Sequence, residues 1–258
     1  MRKRVILCFF GTISRSIKYT HNNHIRNIIN IVKKSYDIDI YIFNNNVENI
    51  LIDDVQQDNN DYKIIDYNYF EEETQDYIDS QISKKILDDS IEFRMRKDYP
   101  KERIQNAIRQ MYSEEKVGLF LEKNQKEYDC AIVCNPDNYL LTNINMKHVH
   151  NCVNHKNIIY TTSVNDAQGF TNGFYIGSLN PMIKILKRFS ILEKLLPTNK
   201  DYEYLLKKVF LMHKINRSVI GTKFVKIRSN KCIARQGVMK KAKFDNKIKE
   251  IQYLLHTR

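Results

Sequence analysis

The chain is short of the residues that mark several other protein classes. Seven glycines and four prolines in 258 residues rule out a collagen-like or Gly/Pro-rich disordered composition. The five cysteines, Cys8, Cys130, Cys134, Cys152 and Cys232, are odd in number and lack the close, regular spacing of a disulfide framework, so reduced thiols are expected. No apolar run approaches the ~20 residues needed to cross a bilayer. The opening MRKRVILCFFGT has too short an apolar core, and no small-residue cleavage site, for a secretory signal. A cytoplasmic protein is therefore expected. No internal repeat or low-complexity linker is present, and the length suffices for one large α/β core.

What the chain has in excess is basic charge, unevenly placed. The net charge is +12. Residues 1–180 hold 22 Lys and Arg against 25 Asp and Glu, whereas residues 181–258 hold 20 against 5. A C-terminal surplus of this kind steers a protein toward nucleic acid, an anionic membrane surface or a polyanionic substrate, or it is a solvated face.

Hydrophobic periodicity alternates between strand and helix, as in βαβ proteins. Strands are expected at Arg4–Phe10, Ile38–Phe43, Tyr62–Tyr67, Tyr128–Cys134, Asn157–Thr161, Gly173–Ser178 and Lys223–Arg228. Helices are expected from Thr20 or His21 to Lys34, from Pro100 to Lys126, from Asn180 to Leu195, from Thr198 to His213 and from Lys240 onward. The stretch from Val47 to Asp61 reads as a loop or insertion.

The apolar run YDCAIVC stops at Asn135-Pro136-Asp137. A buried strand that ends this way places a carboxylate at the rim of a sheet, where α/β folds bind ligands. A lone acid there can hold a divalent cation, and the cation a diphosphate, which gives a sugar-nucleotide site; the same three residues also form plain turns. Asp166, in the loop Val164–Gly169, is the first candidate for a base toward an acceptor hydroxyl, though an Asx-turn would use it equally well. Glu203 is a second candidate on the acceptor side, or a first-turn carboxylate favoured by the helix dipole. His148, His150, Cys152 and His155 are zinc-ligand types, but four ligands this close need an uncommon loop, and a polar surface element is expected instead.

The order of these elements carries a resemblance. A first strand ends in Gly11-x-x-x-Arg15, and a helix and the strand Asp39-Ile-Tyr-Ile-Phe43 follow. Then come a helix with Gln110-Met-Tyr-Ser113, the strand ending at Asn135-Pro-Asp137, Asn165-Asp166, and Phe174-Tyr-Ile-Gly-Ser178 ahead of a helix. Over about residues 3–230 this resembles the GT-A type glycosyltransferase-like proteins of glycan gene clusters in bacteria and large DNA viruses; for a viral protein the expected compartment becomes the host cytoplasm.

The resemblance implies an α/β fold with a GT-A (Rossmann-like) mixed, mostly parallel sheet flanked by helices. It places that domain at 1–230 and a basic helical C-terminal segment at 231–258. It further implies transfer of a sugar from a UDP-, GDP- or dTDP-sugar to a hydroxyl of a glycan or glycoconjugate acceptor, assisted by Mn²⁺ or Mg²⁺. Gly11, Thr12, Arg15, Gln110, Tyr112, Asn135 and Asn138 would hold the donor. Asp137 would be the metal ligand at an Asp-x-Asp position whose first acid is here the amide of Asn135, and His213 would join it, unless it only meets its own helix dipole. Peripheral membrane contact is a further expectation. Two other functions compete: a nucleic-acid-binding protein using the basic C-terminal region, which lacks any recognisable binding motif, and a sugar-nucleotide or glycan-binding module without catalysis.

Overall fold

Strand β1 (Arg4–Gly11) leads through a 3₁₀ turn (Ile13–Arg15) into α1 (Ile17–His24), which continues as a π-helical turn (Ile25–Ile29) to Val32. The structure is a computed structural model describing residues 2–47, 51–82, 101–163, 169–195, 202–234 and 245–256. After α1 come β2 (Asp37–Asn46), a small hairpin of β3 (Leu51–Ile52) and β4 (Val55–Gln56), β5 (Tyr69–Thr74), α2 (Gln75–Gln81) and α3 (Lys101–Lys123). The chain continues with β6 (Cys130–Cys134), β7 (Asn138–Leu140), α4 (Met146–Asn154), β8 (Ile158–Thr162), β9 (Phe174–Ser178), α5 (Leu179–Leu186) and α6 (Leu192–Leu195). The last elements are α7 (Tyr202–Met212), β10 (Asn216–Ile220), β11 (Phe224–Ile227), β12 (Ile233–Ala234) and α8 (Asp245–His256).

Seven strands form one sheet in the order β10-β8-β9-β6-β1-β2-β5. All neighbours are parallel except β9, which runs antiparallel to both β6 and β8. The expected mixed, mostly parallel sheet flanked by helices is therefore what the chain builds. Its central strands are buried on both faces, and so read as near-continuous apolar runs. The period of two divides each run between two cores. Ile6, Cys8 and Phe10 of β1, with Ala131 and Val133 of β6, face α3 and α5. Val5, Leu7 and Phe9, with Cys130, Ile132 and Cys134, face α1 and α4. A fully buried ion pair, Arg188 with Glu114, links the turn after α5 to α3.

A second, antiparallel sheet, β12-β11-β7, begins one residue after Asp137. The same alternation splits β11. Val225 and Ile227 pack on Ile248, Ile251 and Leu255 of α8, while Phe224 joins the core beneath the main sheet. Among the described residues no helix is long and apolar enough to cross a membrane.

Three expectations are corrected by the structure. Residues 62–67 are not a strand; Asp61–Ile64 form a 3₁₀ turn and the strand is β5, further on. β10 was not expected at all, and the helix expected over 180–195 is interrupted between Leu186 and Leu192. The first two lie at the sheet's two edges, where one flank of the strand meets solvent and charged residues such as Glu71 and Glu72 are accepted.

Candidate functional site

The carboxyl ends of β1, β2 and β6 open onto a cavity of about 910 Å³. β1 ends at Gly11, whose φ of +90° lies in the left-handed region that favours glycine. That bend sets Phe10, Gly11, Thr12 and Arg15 along the cavity wall. The Ile13 N–H donates to Asn44 Oδ1 at 3.3 Å, tying the bend to the end of β2. The next residue, Asn45, is buried in the wall; its Nδ2 donates to Gln75 Oε1 at 2.8 Å and its Oδ1 has no partner.

Asn135-Pro136-Asp137 is both the turn and the rim that the sequence offered as alternatives. The Asn138 N–H donates back to the Asn135 carbonyl at 3.2 Å, and the Asn135 N–H to the Gly173 carbonyl at 2.8 Å. Gly173 has φ +81°, and a Cβ there would lie 2.6 Å from Asn135 Nδ2, so this position needs glycine on two counts. All three turn residues line the cavity.

One polar face of α1 clasps this turn. Thr20 Oγ1 donates to the Pro136 carbonyl at 2.6 Å. Asn23 donates to the Leu140 carbonyl at 2.9 Å and accepts the Leu140 N–H at 2.8 Å, standing in for a neighbouring strand on the free edge of β7. His24 Nε2 donates to the Asn138 carbonyl at 2.6 Å. Burial pulls the His24 pKa down to about 4, so near neutral pH it is an uncharged donor. Residues three and four apart share a helix face, which is why 20, 23 and 24 act together.

The register of the small sheet supplies the charge. Lys226 of β11 stands opposite Asn138, and the Ile227 N–H donates to the Asp137 carbonyl at 2.8 Å. The Asp137 carboxylate consequently has Lys226 Nζ 3.6 Å from Oδ1 and Arg228 Nη1 3.5 Å from Oδ2. A second pair sits at the other wall. Arg15 grips Asp53 through Nε and Nη2 at 2.9–3.0 Å, and the Ser229 N–H adds a bond of 3.2 Å to the same carboxylate. Burial alone would raise the Asp53 pKa, but Arg15 and the Ser229 amide outweigh it and hold the group below its usual range. Asp53 and Asp54 both have positive φ, the conformation a two-residue turn between β3 and β4 requires.

The donor set does not suit a divalent cation. Among the described residues no three His, Cys, Asp or Glu side chains gather where one ion could be held. The one carboxylate at the end of β6 already has two cations beside it. Lys226 and Arg228 beside that carboxylate reduce its net attraction for a divalent ion.

The structure thus brings Gly11, Thr12, Arg15, Gln110, Asn135, Asp137 and Glu203 to one cavity. Glu203 opens α7, and its carbonyl accepts the Phe170 N–H at 2.9 Å. Three expected residues are placed elsewhere. Tyr112 is buried against α2's end of the sheet, donating to Glu73 at 2.8 Å, with its pKa pushed up to about 12 by burial and by that carboxylate. Asn138 lies behind the turn, donating to the Gly173 carbonyl at 2.9 Å, and holds the site rather than facing it. His213 sits past the end of α7; burial, then Lys184, lowers its pKa, and it is not among the cavity residues. Asp166 falls within 164–168, outside the described residues. Sequence reasoning missed Lys226, Arg228 and Asp53 in the wall, and the α1 clasp; the alternation of Phe224, Lys226 and Arg228 was the one available signal.

No protein-family model matches the sequence, and no curated protein matches it. Among solved structures the chain is similar to the apo form of mouse xyloside xylosyltransferase 1. The identity is 8%, the TM-score 0.47, and the match covers 84% of this chain and 85% of that one. Likeness at this level says nothing about activity.

Proposed function

We propose that this protein is a glycosyltransferase that moves a sugar from a nucleoside-diphosphate sugar to a hydroxyl of a glycan acceptor. The observation that carries the reading is the cavity at the strand ends. Asn45 Oδ1, Asn135 Oδ1, Asp137 Oδ1 and Asn172 Nδ2 are all buried in its wall without a hydrogen-bond partner. Buried polar atoms are normally satisfied, so four orphans around one space suit a polar ligand rich in donors and acceptors. Arg15, Arg109, Lys226 and Arg228 share the wall with Asp53, Glu102, Asp137 and Glu203, and its cations can meet the anionic part of such a ligand. Of the basic residues after position 180, Lys226 and Arg228 line this cavity, which suits a small anionic ligand there.

In the proposed reaction the acceptor oxygen attacks the anomeric carbon. The bond from that carbon to the diphosphate oxygen breaks, and the nucleoside diphosphate leaves with the electron pair. If the acceptor attacks directly, its proton passes to a carboxylate. Glu203 lines the cavity; Asp166, the first candidate from the sequence, lies outside the described residues and remains the alternative for that role. The Mn²⁺ or Mg²⁺ implied by the resemblance is not used in any step here, because the described donor set does not fit it.

Thermal-shift titration with UDP-, GDP- and dTDP-sugars tests the proposal, since a ligand that binds only the folded state raises its stability. A melting-temperature rise with one nucleotide family, and transfer or hydrolysis that falls in Glu203→Gln or Asp166→Asn, is expected. Stabilisation without turnover would make the protein a binding module, and steeply salt-dependent DNA or RNA binding with no nucleotide response would overturn the reading.

A further inference from the structure

The metal expected at Asp137 and the two cations found there are in conflict, and the conflict has a chemical resolution. Lys226 Nζ stands 3.6 Å from Asp137 Oδ1 as an ion pair without a hydrogen bond, and Arg228 Nη1 donates to Asp137 Oδ2 at 3.5 Å, beyond the usual 2.7–3.2 Å of an N–H···O bond. Both contacts are long, which leaves donor capacity on the two cations. Around Asp137 itself, one negative and two positive charges leave a surplus of one positive charge. The Lys226 side chain is 14% exposed, that of Arg228 30% and that of Asp137 9%. On the opposite wall Arg15 shows how the cavity treats an anion: its guanidinium and the Ser229 N–H converge on a single carboxylate.

We propose that Lys226 and Arg228 bind the diphosphate of the donor directly, in the role a divalent cation would otherwise fill, with Asp137 as the positioning residue that keeps both cations aimed into the cavity. This rests on the glycosyltransferase reading above. Guanidinium and ammonium groups make charge-assisted bonds to phosphate oxygens, and they stabilise the charge that grows on a leaving diphosphate without a metal. The backbone is built to hold them there. β11 is fixed to β7 by its register, backed by α8, and tied to the start of α1 by Ser16 Oγ, which donates to the Ile227 carbonyl at 2.5 Å.

The test is calorimetric titration of the full chain with inorganic pyrophosphate, UDP, GDP and dTDP, each in EDTA and again with Mn²⁺. Binding of pyrophosphate and of one nucleoside diphosphate should persist in EDTA within about threefold of its value with Mn²⁺. Lys226→Gln and Arg228→Gln should each weaken it about 10–100-fold, the worth of a hydrogen bond to a charged group. Each single variant still leaves one cation beside Asp137; the double variant Lys226→Gln/Asp137→Asn keeps the local surplus of one positive charge through Arg228 and should stay folded yet still bind weakly. Binding that requires Mn²⁺, and that survives Lys226→Gln but not Asp137→Asn, overturns this inference and leaves the glycosyltransferase reading standing. No binding of any of these ligands in either condition overturns both.

Discussion

Replacing Asn23 by alanine should unfold the rim of the cavity from behind. Asn23 is buried and makes two bonds to one residue, to the Leu140 carbonyl at 2.9 Å and from its N–H at 2.8 Å. Leu140 is itself 1% exposed, so alanine strands a backbone donor and an acceptor together. Each buried unsatisfied group costs about 1–3 kcal/mol. Alanine returns roughly 0.5 kcal/mol through its higher helix propensity, which leaves a net loss of about 2–5 kcal/mol. Asn22, one residue earlier on the same helix and exposed, is the natural control: its alanine variant keeps the propensity gain and loses nothing at β7. Urea unfolding of the two variants, fitted with a common slope, gives the difference directly. For a domain of this size it corresponds to a fall in melting temperature of about 5–15 °C. If Asn23→Ala and Asn22→Ala agree within about 0.5 kcal/mol, the clasp does not hold the turn and the account of how Asp137 is positioned fails.

Other outcomes follow from the same geometry. His24 binds a proton below about pH 4 when folded and below about pH 6.5 when unfolded, so acid favours the unfolded chain. Stability should therefore climb between pH 4 and 6.5, and the advantage of wild type over His24→Gln should be about 2–3 kcal/mol larger at pH 7 than at pH 4.5; a constant difference across that range would contradict the buried neutral histidine. Gly173→Ala forces a left-handed φ on alanine and drives a Cβ to 2.6 Å from Asn135 Nδ2. A loss of at least about 1–2 kcal/mol, together with weakened nucleotide binding, is expected by denaturation and titration, and wild-type behaviour in both would show that Asn135 is not seated on Gly173. Glu114→Gln removes a carboxylate paired with the buried Arg188 and should cost about 1.5–3 kcal/mol, the worth of a hydrogen bond to a charged group. The same unfolding assay reads it, and a loss under about 0.5 kcal/mol would refute it.

The centre of the sheet was readable because its strands are sealed on both faces. Arg4–Phe10 and the run ending at Cys134 have no choice but to be apolar, and each then stops at the residue that bends into the cavity, Gly11 or Asn135. The edges were unreadable for the opposite reason. β5 carries Glu71–Glu73 and β10 begins Asn216-Arg217, and a strand with one wet flank has no pattern that separates it from a loop. Asp137 could be placed because a local run pointed at it. Its partners could not, since Lys226 and Arg228 lie about ninety residues away and only the pairing of β7 with β11 brings them in. The clasp from Thr20, Asn23 and His24 was hidden in a helix whose apolar stripe accounts for the other face.

The arrangement of β11 gives the helix Asp245–His256 an influence out of proportion to its distance from any ligand. It offers no group to the chemistry, yet it is the wedge behind Val225 and Ile227, and those residues alternate with the two that carry the positive charge. A proteolytic nick or a fusion joint that dislodged this helix would let the strand sag, and charge would drift out of the cleft with every reactive side chain still intact. Loss of function after such a change would therefore report a missing buttress, and full-length chain is the proper material for any measurement of affinity.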